Sequence, residues 1–278
     1  MSLFAVGEAG PVVHVAPHTF FTIGGFPISN AILYGWLSAL AICVILILVA
    51  RRVRVKPQGG IVQYFEFGVD FVTNLVESAF DDPKKGRKYV PYFITLFFFI
   101  LINNWFSLLP FVGDGFQLHG APLLRAFTAD LNGTLAMGAV TMAVVYGASI
   151  KESGGFFKYL RHFFVGSPLN PMYFLIGIIE MITDLTRVLS LSLRLFLNIT
   201  IGDIVIAVFA YLGHVLAPIT ALPFTLLEFG VDALQAYIFV VLSVMYLAMT
   251  VNAHSEEHDL TEELVTETIG ASEAEATA

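Results

Sequence analysis

Residues 172–212 read MYFLIGIIEMITDLTRVLSLSLRLFLNITIGDIVIAVFAYL, and this stretch decides the fold. It contains no proline, and apolar side chains dominate it from end to end. At ~1.5 Å per residue, a helix of this length is roughly 60 Å long, about twice the ~30 Å thickness of the hydrocarbon layer. The stretch therefore predicts a membrane helix that tilts steeply or runs partly along the interface.

Further apolar segments surround this helix. Because ~20 apolar residues cross the hydrocarbon layer, we predict additional spans over about 31–50, 92–110, 131–150 and 222–252. Residues 61–80 carry polar side chains at helical spacing, which predicts an amphipathic helix lying along the interface. The predicted fold is an all-α integral membrane protein with five crossing helices and one interfacial helix. Its last two helices are long, strongly tilted and paired as an antiparallel hairpin.

Composition agrees with a membrane class and excludes several others. Hydrophobic residues make up 57% of the chain and charged residues 13%, whereas soluble domains carry about 25% charged residues. Residues 254–278 hold eight acids and no Lys or Arg, so we predict an acidic, disordered tail there. The remainder is formally neutral and offers no basic surface for nucleic acid. Cys43 is the single cysteine, and we expect no metal and no cofactor.

Basic residues predict the topology. Of the 14 Lys and Arg residues, 11 fall in segments 51–56, 84–88 and 151–161. Alternating spans place these segments on one side, which the positive-inside rule makes cytoplasmic. We therefore expect an extracytoplasmic segment 1–30, a membrane domain 31–253 and a cytoplasmic tail 254–278.

Ionisable side chains at membrane depth indicate function by default. At ~100° per residue, one stripe of the long helix collects several polar residues, and one face of the last helix collects three more. Asp203 points away from the stripe. Antiparallel packing would bring Asp203 near the depth of Glu228 and Arg194 near that of Gln235. The stripe holds Glu180, Thr183, Arg187, Ser190, Arg194 and Asn198, and the facing set is Glu228, Asp232 and Gln235.

This arrangement is typical of an ion path. Carboxyl, hydroxyl and amide groups with water between them pass protons, whereas Arg stays charged, so Arg194 would be a fixed cation near the middle. Simpler interpretations remain open for individual residues. Arg194 could be a structural ion-pair partner, and Glu228 could share a proton with Asp203. Asp184 could merely lie at the interface, Asp232 could be a satisfied interior acid, and Asn104 could join two helices.

Two motifs resemble those of a known family. Residues 190–198, SLSLRLFLN, resemble the signature of subunit a of rotary F-type ATP synthases of the bacterial type, and residues 234–239, LQAYIF, look like its second signature. The resemblance covers about residues 30–250, including the order of the spans. It implies a stator proton-channel subunit that performs no bond chemistry itself.

The resemblance also implies roles for particular residues. Arg194 matches the essential arginine that faces the carboxylates of the c-ring. The outer access path, open to the extracytoplasmic side, would comprise Asn104, Asn198, Asp203, Glu228, Asp232 and Gln235, and the inner path would comprise Glu180, Asp184 and Ser190. Implied partners are the c-ring, the peripheral-stalk b subunits, the remaining ATP synthase and membrane lipid. The implied location is the bacterial plasma (inner) membrane, with the N-terminus outside.

Some residues depart from the family pattern, and other protein classes were weighed. Leu197 stands where the family usually has Gly or Ala, Ser107 stands where some relatives have an acid, and Asp232 is an extra acid. A secondary transporter would show internal repeats with broken helices, which this sequence lacks. A proton-conducting subunit of a redox complex would spread buried Lys and His over several helices. A membrane scaffold gives no reason for a central arginine.

Overall fold

The computed structural model describes residues 19–23, 26–52, 60–109, 112, 117–118, 121–122, 124–152 and 171–276. Side chains in residues 253–276 and the side chain of Glu180 lie outside the description. The predicted N-terminal segment up to residue 18 also lies outside it. So do four of the predicted cytoplasmic basic residues, Arg54, Lys56, Lys158 and Arg161.

Helices account for most of the described chain. They are α1 (Asn30–Arg52), α2 (Ile61–Ala79), α3 (Pro83–Arg87), α4 (Val90–Ser107), α5 (Leu131–Glu152), α6 (Pro171–Gly213) and α7 (Ala217–Ala276). Two 3₁₀ turns, Phe127–Ala129 and His214–Leu216, precede α5 and α7. The chain is therefore a predominantly α-helical protein, as predicted.

Apolar segments long enough to cross a membrane occur at four places in the described residues. Three are the helices Asn30–Arg52, Val90–Ser107 and Leu131–Lys151, and the fourth is the stretch Ile182–Asn252. The fourth contains the turn His214–Leu216 and most of both long helices. This pattern fits a multi-pass membrane protein.

The last helix differs from the sequence prediction. It continues as helix to Ala276, whereas the sequence predicts a disordered tail from residue 254. Glu and Ala recur in this segment and are among the stronger helix formers, which favours a helical backbone.

Short strand pairs, which the all-α prediction did not include, precede α1 and α5. Strands β1 (Thr19–Ile23) and β2 (Phe26–Ser29) pair antiparallel, and so do β3 (Gln117–Leu118) and β4 (Ala121–Pro122). Thr, Phe and Ile in the first pair favour extended backbone.

Local signals fix where several helices begin and end. The Asp82 carboxylate accepts a hydrogen bond from the backbone N–H of Lys84 at 2.9 Å and caps α3. Asp130 accepts one from the N–H of Asn132 at 3.1 Å at the start of α5, the usual role of Asp at a helix N-terminus. Pro171 opens α6, where its missing N–H costs nothing.

The turn between α6 and α7 is held by specific contacts. The Thr220 hydroxyl donates to the Phe209 carbonyl oxygen at 2.8 Å. The rings of Phe209 and Phe224 stack with centroids 3.7 Å apart. His214 adopts a positive φ of 46° within the turn, a conformation that His tolerates better than most residues. These contacts tie the end of α6 to the start of α7.

The core lies where α4, α5, α6 and α7 meet. Its largest fully buried side chains include Phe93, Ile100, Leu191, Leu195 and Phe239. The amphipathic helix α2 lies against α4, where the Phe65 and Phe98 rings stack at 5.0 Å. It leaves Tyr64 and Phe67 exposed. The helix forms as predicted, and its position at the membrane interface stays a prediction.

Candidate functional site

Helix α6 has two faces, and Arg194 lies on the exposed one. Leu191, Leu195 and Ile199 follow a spacing of four residues and are almost fully buried against the core. Side chains three to four residues apart share a helix face, so the positions between them turn outward. Ser190 and Arg194 are both exposed. The packing of the apolar stripe thus directs the arginine out of the core.

Arg194 lines a shallow groove of about 650 Å³. The groove is bordered by Thr186, Leu189, Ser190, Leu193, Arg194, Leu197, Asn198, Ile201 and Gln235. Most of its apolar members are open to the surroundings, with Leu193 39% and Ile201 55% exposed. Across the described residues, no carboxylate lies within ion-pairing distance of Arg194. A permanent cation therefore stands on an exposed face that carries both apolar and uncharged polar side chains.

The facing helix α7 supplies acids beside this groove. Asn198 donates from Nδ2 to Oδ1 of Asp232 at 3.1 Å, and the Asp232 side chain is completely buried. Gln235, one turn further along α7, is also buried and lines the groove with Arg194. An amide–carboxylate pair thus lies one helical turn from the arginine.

Glu228 lies further along the same contact between α6 and α7. Its carboxylate occupies the space beside Gly202 on α6, where a Cβ would overlap both carboxylate oxygens. Glu228 is 7% exposed. The carboxylates of Glu228 and Asp203 also lie close enough to act electrostatically on Asp232. Glu228 and Asp232 are therefore buried between α6 and α7, whereas Asp203, the third acid of the predicted outer path, is exposed.

Contacts along the two helices follow an opposite order in sequence. Residues 209, 202 and 198 of α6 meet residues 220, 228 and 232 of α7. Descending numbers on one helix against ascending numbers on the other are what antiparallel packing produces. The depths counted from the sequence, with Asp203 near Glu228 and Arg194 near Gln235, agree with these contacts.

Helix α4 adds amides near the acids. Asn104 is completely buried, and the Ser107 hydroxyl donates to its backbone carbonyl oxygen at 2.6 Å. The next residue, Trp105, donates from Nε1 to the Phe229 carbonyl oxygen at 3.1 Å and stacks on the Phe229 ring with centroids 4.2 Å apart. Trp105 therefore fixes α7 against α4 directly beside Glu228.

Several buried polar atoms in this region have no hydrogen-bond partner among the residues that the structure describes. They are both side-chain atoms of Asn104, Oδ1 of Asn103, Oε1 of Glu228, Oδ2 of Asp232 and Nε2 of Gln235. A buried polar group without a hydrogen bond costs about 1–3 kcal/mol. Such a set of amides and acids is suited to binding water, because each water satisfies two to four polar neighbours.

The structure brings together fewer residues of the predicted inner path than of the predicted outer path. Asp184 accepts a hydrogen bond from Arg187 at 2.9 Å, and the Arg187 guanidinium lies 4.9 Å from the Tyr246 ring centroid. Asp184 is thus an ion-pair partner of Arg187, a contact that the sequence analysis did not predict. Ser190 lines the Arg194 groove, and the Glu180 side chain lies outside the described residues.

Other polar residues near the site escaped the sequence reasoning. Tyr34 on α1 donates to the Asn103 carbonyl oxygen at 3.2 Å. Thr128 is completely buried in the segment before α5. Neither residue carries a charge or follows the helical stripe, so neither gave a signal in the sequence. Leu197, one of the departures, is 46% exposed and lines the groove beside Arg194.

The chemistry available at the site is proton exchange beside a fixed charge. Among the described residues, no group of three or more His, Cys, Asp and Glu side chains could hold a metal ion. The acids between α6 and α7 can bind and release protons and the amides can bind water, whereas Arg194 is a fixed cation.

Comparisons with known proteins identify a family. The family described as ATP synthase A chain matches residues 32–248. The chain is 36% identical to ATP synthase subunit a of Hyphomonas neptunium over 208 residues, which cover 68% of this chain and 74% of that protein. It is 34% identical to the Rhodospirillum rubrum protein of that name, covering 74% of this chain and 80% of the relative. The Geobacter sulfurreducens protein is 31% identical, covering 79% and 86%.

Proposed function

Because this chain belongs to the ATP synthase subunit a family, we propose that it is the stator proton channel of a rotary ATP synthase. It is a non-catalytic, multi-pass membrane subunit of that complex. In the proposal, protons reach and leave the carboxylates of a rotating c-ring through two half-paths separated by Arg194. Proton flow then turns the ring and drives ATP synthesis in partner subunits.

The observation that carries the proposal is the Arg194 cation on the exposed face of α6, with no carboxylate partner among the described residues. A charged side chain in such surroundings is costly unless a counter-charge meets it. A ring of small helices with one carboxylate each would supply that counter-charge repeatedly. The Leu and Ile side chains around Arg194 would slide along the ring, and the arginine would hold each carboxylate as an anion.

The outer half-path follows from the buried acids and amides. Asn104, Asn198, Asp203, Glu228, Asp232 and Gln235 lie along the contact between α4, α6 and α7. Water bound to the buried polar atoms of Asn104, Glu228, Asp232 and Gln235 that have no hydrogen-bond partner in the described part of the chain would carry protons from outside towards the ring. The Asn198–Asp232 hydrogen bond lies at the end of this route nearest Arg194, where a proton would pass to a ring carboxylate.

The inner half-path lies on the other side of Arg194. Ser190 is one turn before the arginine on the same groove, and Asp184 and Glu180 continue towards the predicted cytoplasmic end. A neutral ring carboxyl group that arrives there would lose its proton to water near Ser190. Arg194 would then attract the anion and prevent the proton from passing directly between the two half-paths.

The membrane arrangement completes the proposal. Five crossings result if α6 and α7 cross as a reclined antiparallel pair, with the N-terminus outside and the C-terminus in the cytoplasm. The protein would reside in the bacterial inner membrane, contacting the c-ring and the b subunits. One charge that crosses 100 mV releases ~2.3 kcal/mol, so several protons are needed for each ATP.

The decisive experiment replaces Arg194 with Ala in the assembled complex. ATP-driven acidification of inverted membrane vesicles should fall to background, because nothing would retain the ring carboxylate as an anion. Arg187→Ala is the matched control, since Arg187 lies two turns away and already pairs with Asp184; pumping should persist. Copurification of an oligomeric ring of small two-helix subunits checks assembly. Normal coupled pumping by the Arg194 variant contradicts the proposal.

A further inference from the structure

Tyr34 places a hydroxyl on the buried face of α1, which it shares with Ala31, Ser38 and Ile42. In α1, Trp36 is 62% and Leu40 64% exposed, whereas Tyr34 is 4% exposed. Its hydroxyl donates to the Asn103 carbonyl oxygen of α4 at 3.2 Å. A tyrosine hydroxyl that is buried inside a membrane protein is stabilised only when it makes a hydrogen bond.

The Tyr34 ring packs where three other elements converge. It shares an apolar cluster with Ala126 and Ala129 from the segment before α5 and with Ile199 from α6. Ile199 and Asp203 are one turn apart on α6 and therefore share a face. The Asp203 carboxylate is near enough to act electrostatically on the Tyr34 hydroxyl.

The hydroxyl thus lies between the amides of α4 and the outermost acid of α6. The side-chain oxygen of Asn103 and both side-chain atoms of Asn104 lack protein partners. A tyrosine hydroxyl donates one hydrogen bond and keeps lone pairs that accept others. Since its proton points to the Asn103 carbonyl, the lone pairs remain available to a donor on the Asp203 side.

We propose that Tyr34 is a positioning residue of the outer path, whose hydroxyl accepts a hydrogen bond from Asp203 while that carboxyl group carries a proton, directly or through one water. Asp203 takes the proton from outside water and passes it towards Glu228, and Tyr34 keeps its own proton throughout. The inference rests on the proposed function and adds α1 to a route otherwise formed by α4, α6 and α7.

The test compares Tyr34→Phe with Tyr92→Phe. Tyr92 also has a largely enclosed ring, and its hydroxyl makes one interhelical hydrogen bond, to Thr141 at 3.2 Å, but it lies at the opposite end of α4. Passive proton flux is measured in vesicles and divided by the amount of assembled ring. Tyr34→Phe should lower flux per complex about 3- to 10-fold, the effect of one lost hydrogen bond. Tyr92→Phe should leave it within about twofold.

A second measurement distinguishes a positioning role of Tyr34 from a packing role. If proton transfer at Asp203 becomes slower, the ratio of flux in H₂O to flux in D₂O should rise in Tyr34→Phe, whereas a packing defect lowers the amount of assembled complex. Flux per complex within twofold of the unmodified protein, or a lower flux with an unchanged isotope ratio, overturns the role of Tyr34. Loss of pumping in Arg194→Ala would still uphold the proposed function, and its persistence would refute that function separately.

Discussion

Gly202 provides the sharpest test of how the acid cluster is positioned. All three atoms nearest to a Cβ at this position belong to the Glu228 carboxylate. In Gly202→Ala, the methyl group and the carboxylate cannot occupy the same space, so the side chain of Glu228 must move away from α6. Because these atoms are the end of a flexible side chain, the side chain can give way while the helix keeps its backbone.

Two opposing contributions determine how Gly202→Ala changes stability, and a third determines how it changes proton transport. Overpacking costs about 1–3 kcal/mol, whereas Ala instead of Gly inside a helix gains roughly 1 kcal/mol. The free energy of unfolding should therefore change by no more than about 2 kcal/mol, and the complex should assemble. The carboxylate must retreat by about 1 Å, and a misplacement of this size at a reacting group costs up to ~100-fold in rate. We expect proton flux to fall at least about 10-fold.

Gly230→Ala is the control. Gly230 lies on α7 two residues from Glu228, and a Cβ there would meet no atom within 4 Å. Gly230→Ala gains the same helix propensity, and its added methyl group does not touch the Glu228 carboxylate. Flux per assembled complex in vesicles should be normal in Gly230→Ala and reduced in Gly202→Ala. Equal flux in the two variants would refute the argument that the position of the Glu228 carboxylate limits transport.

Two further variants probe neighbouring contacts. Glu228→Gln keeps the size of the side chain but cannot exchange a proton, so flux per complex should fall about 10-fold or more; unchanged flux would reduce Glu228 to a packing residue. Trp105→Phe keeps the ring stack on Phe229 and loses the 3.1 Å hydrogen bond, so thermal unfolding of the complex should reveal a loss of about 1 kcal/mol. An unaltered midpoint would mean that stacking alone fixes α7.

Long apolar segments made the helices predictable. Predicted spans 31–50 and 131–150 correspond to α1 (Asn30–Arg52) and α5 (Leu131–Glu152), because basic residues mark where each segment reaches water. The strands before α1 and α5 were not predictable, since two to five residues carry too little periodic signal. The short helix α3 depends on a single cap from Asp82 and was missed for the same reason.

The sequence predicted residues of the candidate site only where an ionisable side chain or the helical period of polar residues distinguished them. Arg194, Glu228 and Asp232 stand out because ionisable residues are rare in apolar helices. Helical period alone could not tell that Asn198 would bond Asp232, or that Arg187 would turn towards Tyr246. Those contacts depend on the rotation of α6 against α7, which close approaches such as Gly202 to Glu228 determine.

The tied turn between α6 and α7 has a mechanical consequence. A ring that advances one helix spacing, ~10 Å, per charge moved through 100 mV exerts a tangential load on the order of 0.2 kcal/mol per Å. That load falls on the outward side of α6 alone. Hydrogen bonds join Thr220 to Phe209 at one end of the helix pair and Asn198 to Asp232 further along. Because of these two contacts, α6 and α7 would resist sliding past each other. The torque would then act on the ring and would not be lost in bending of the stator.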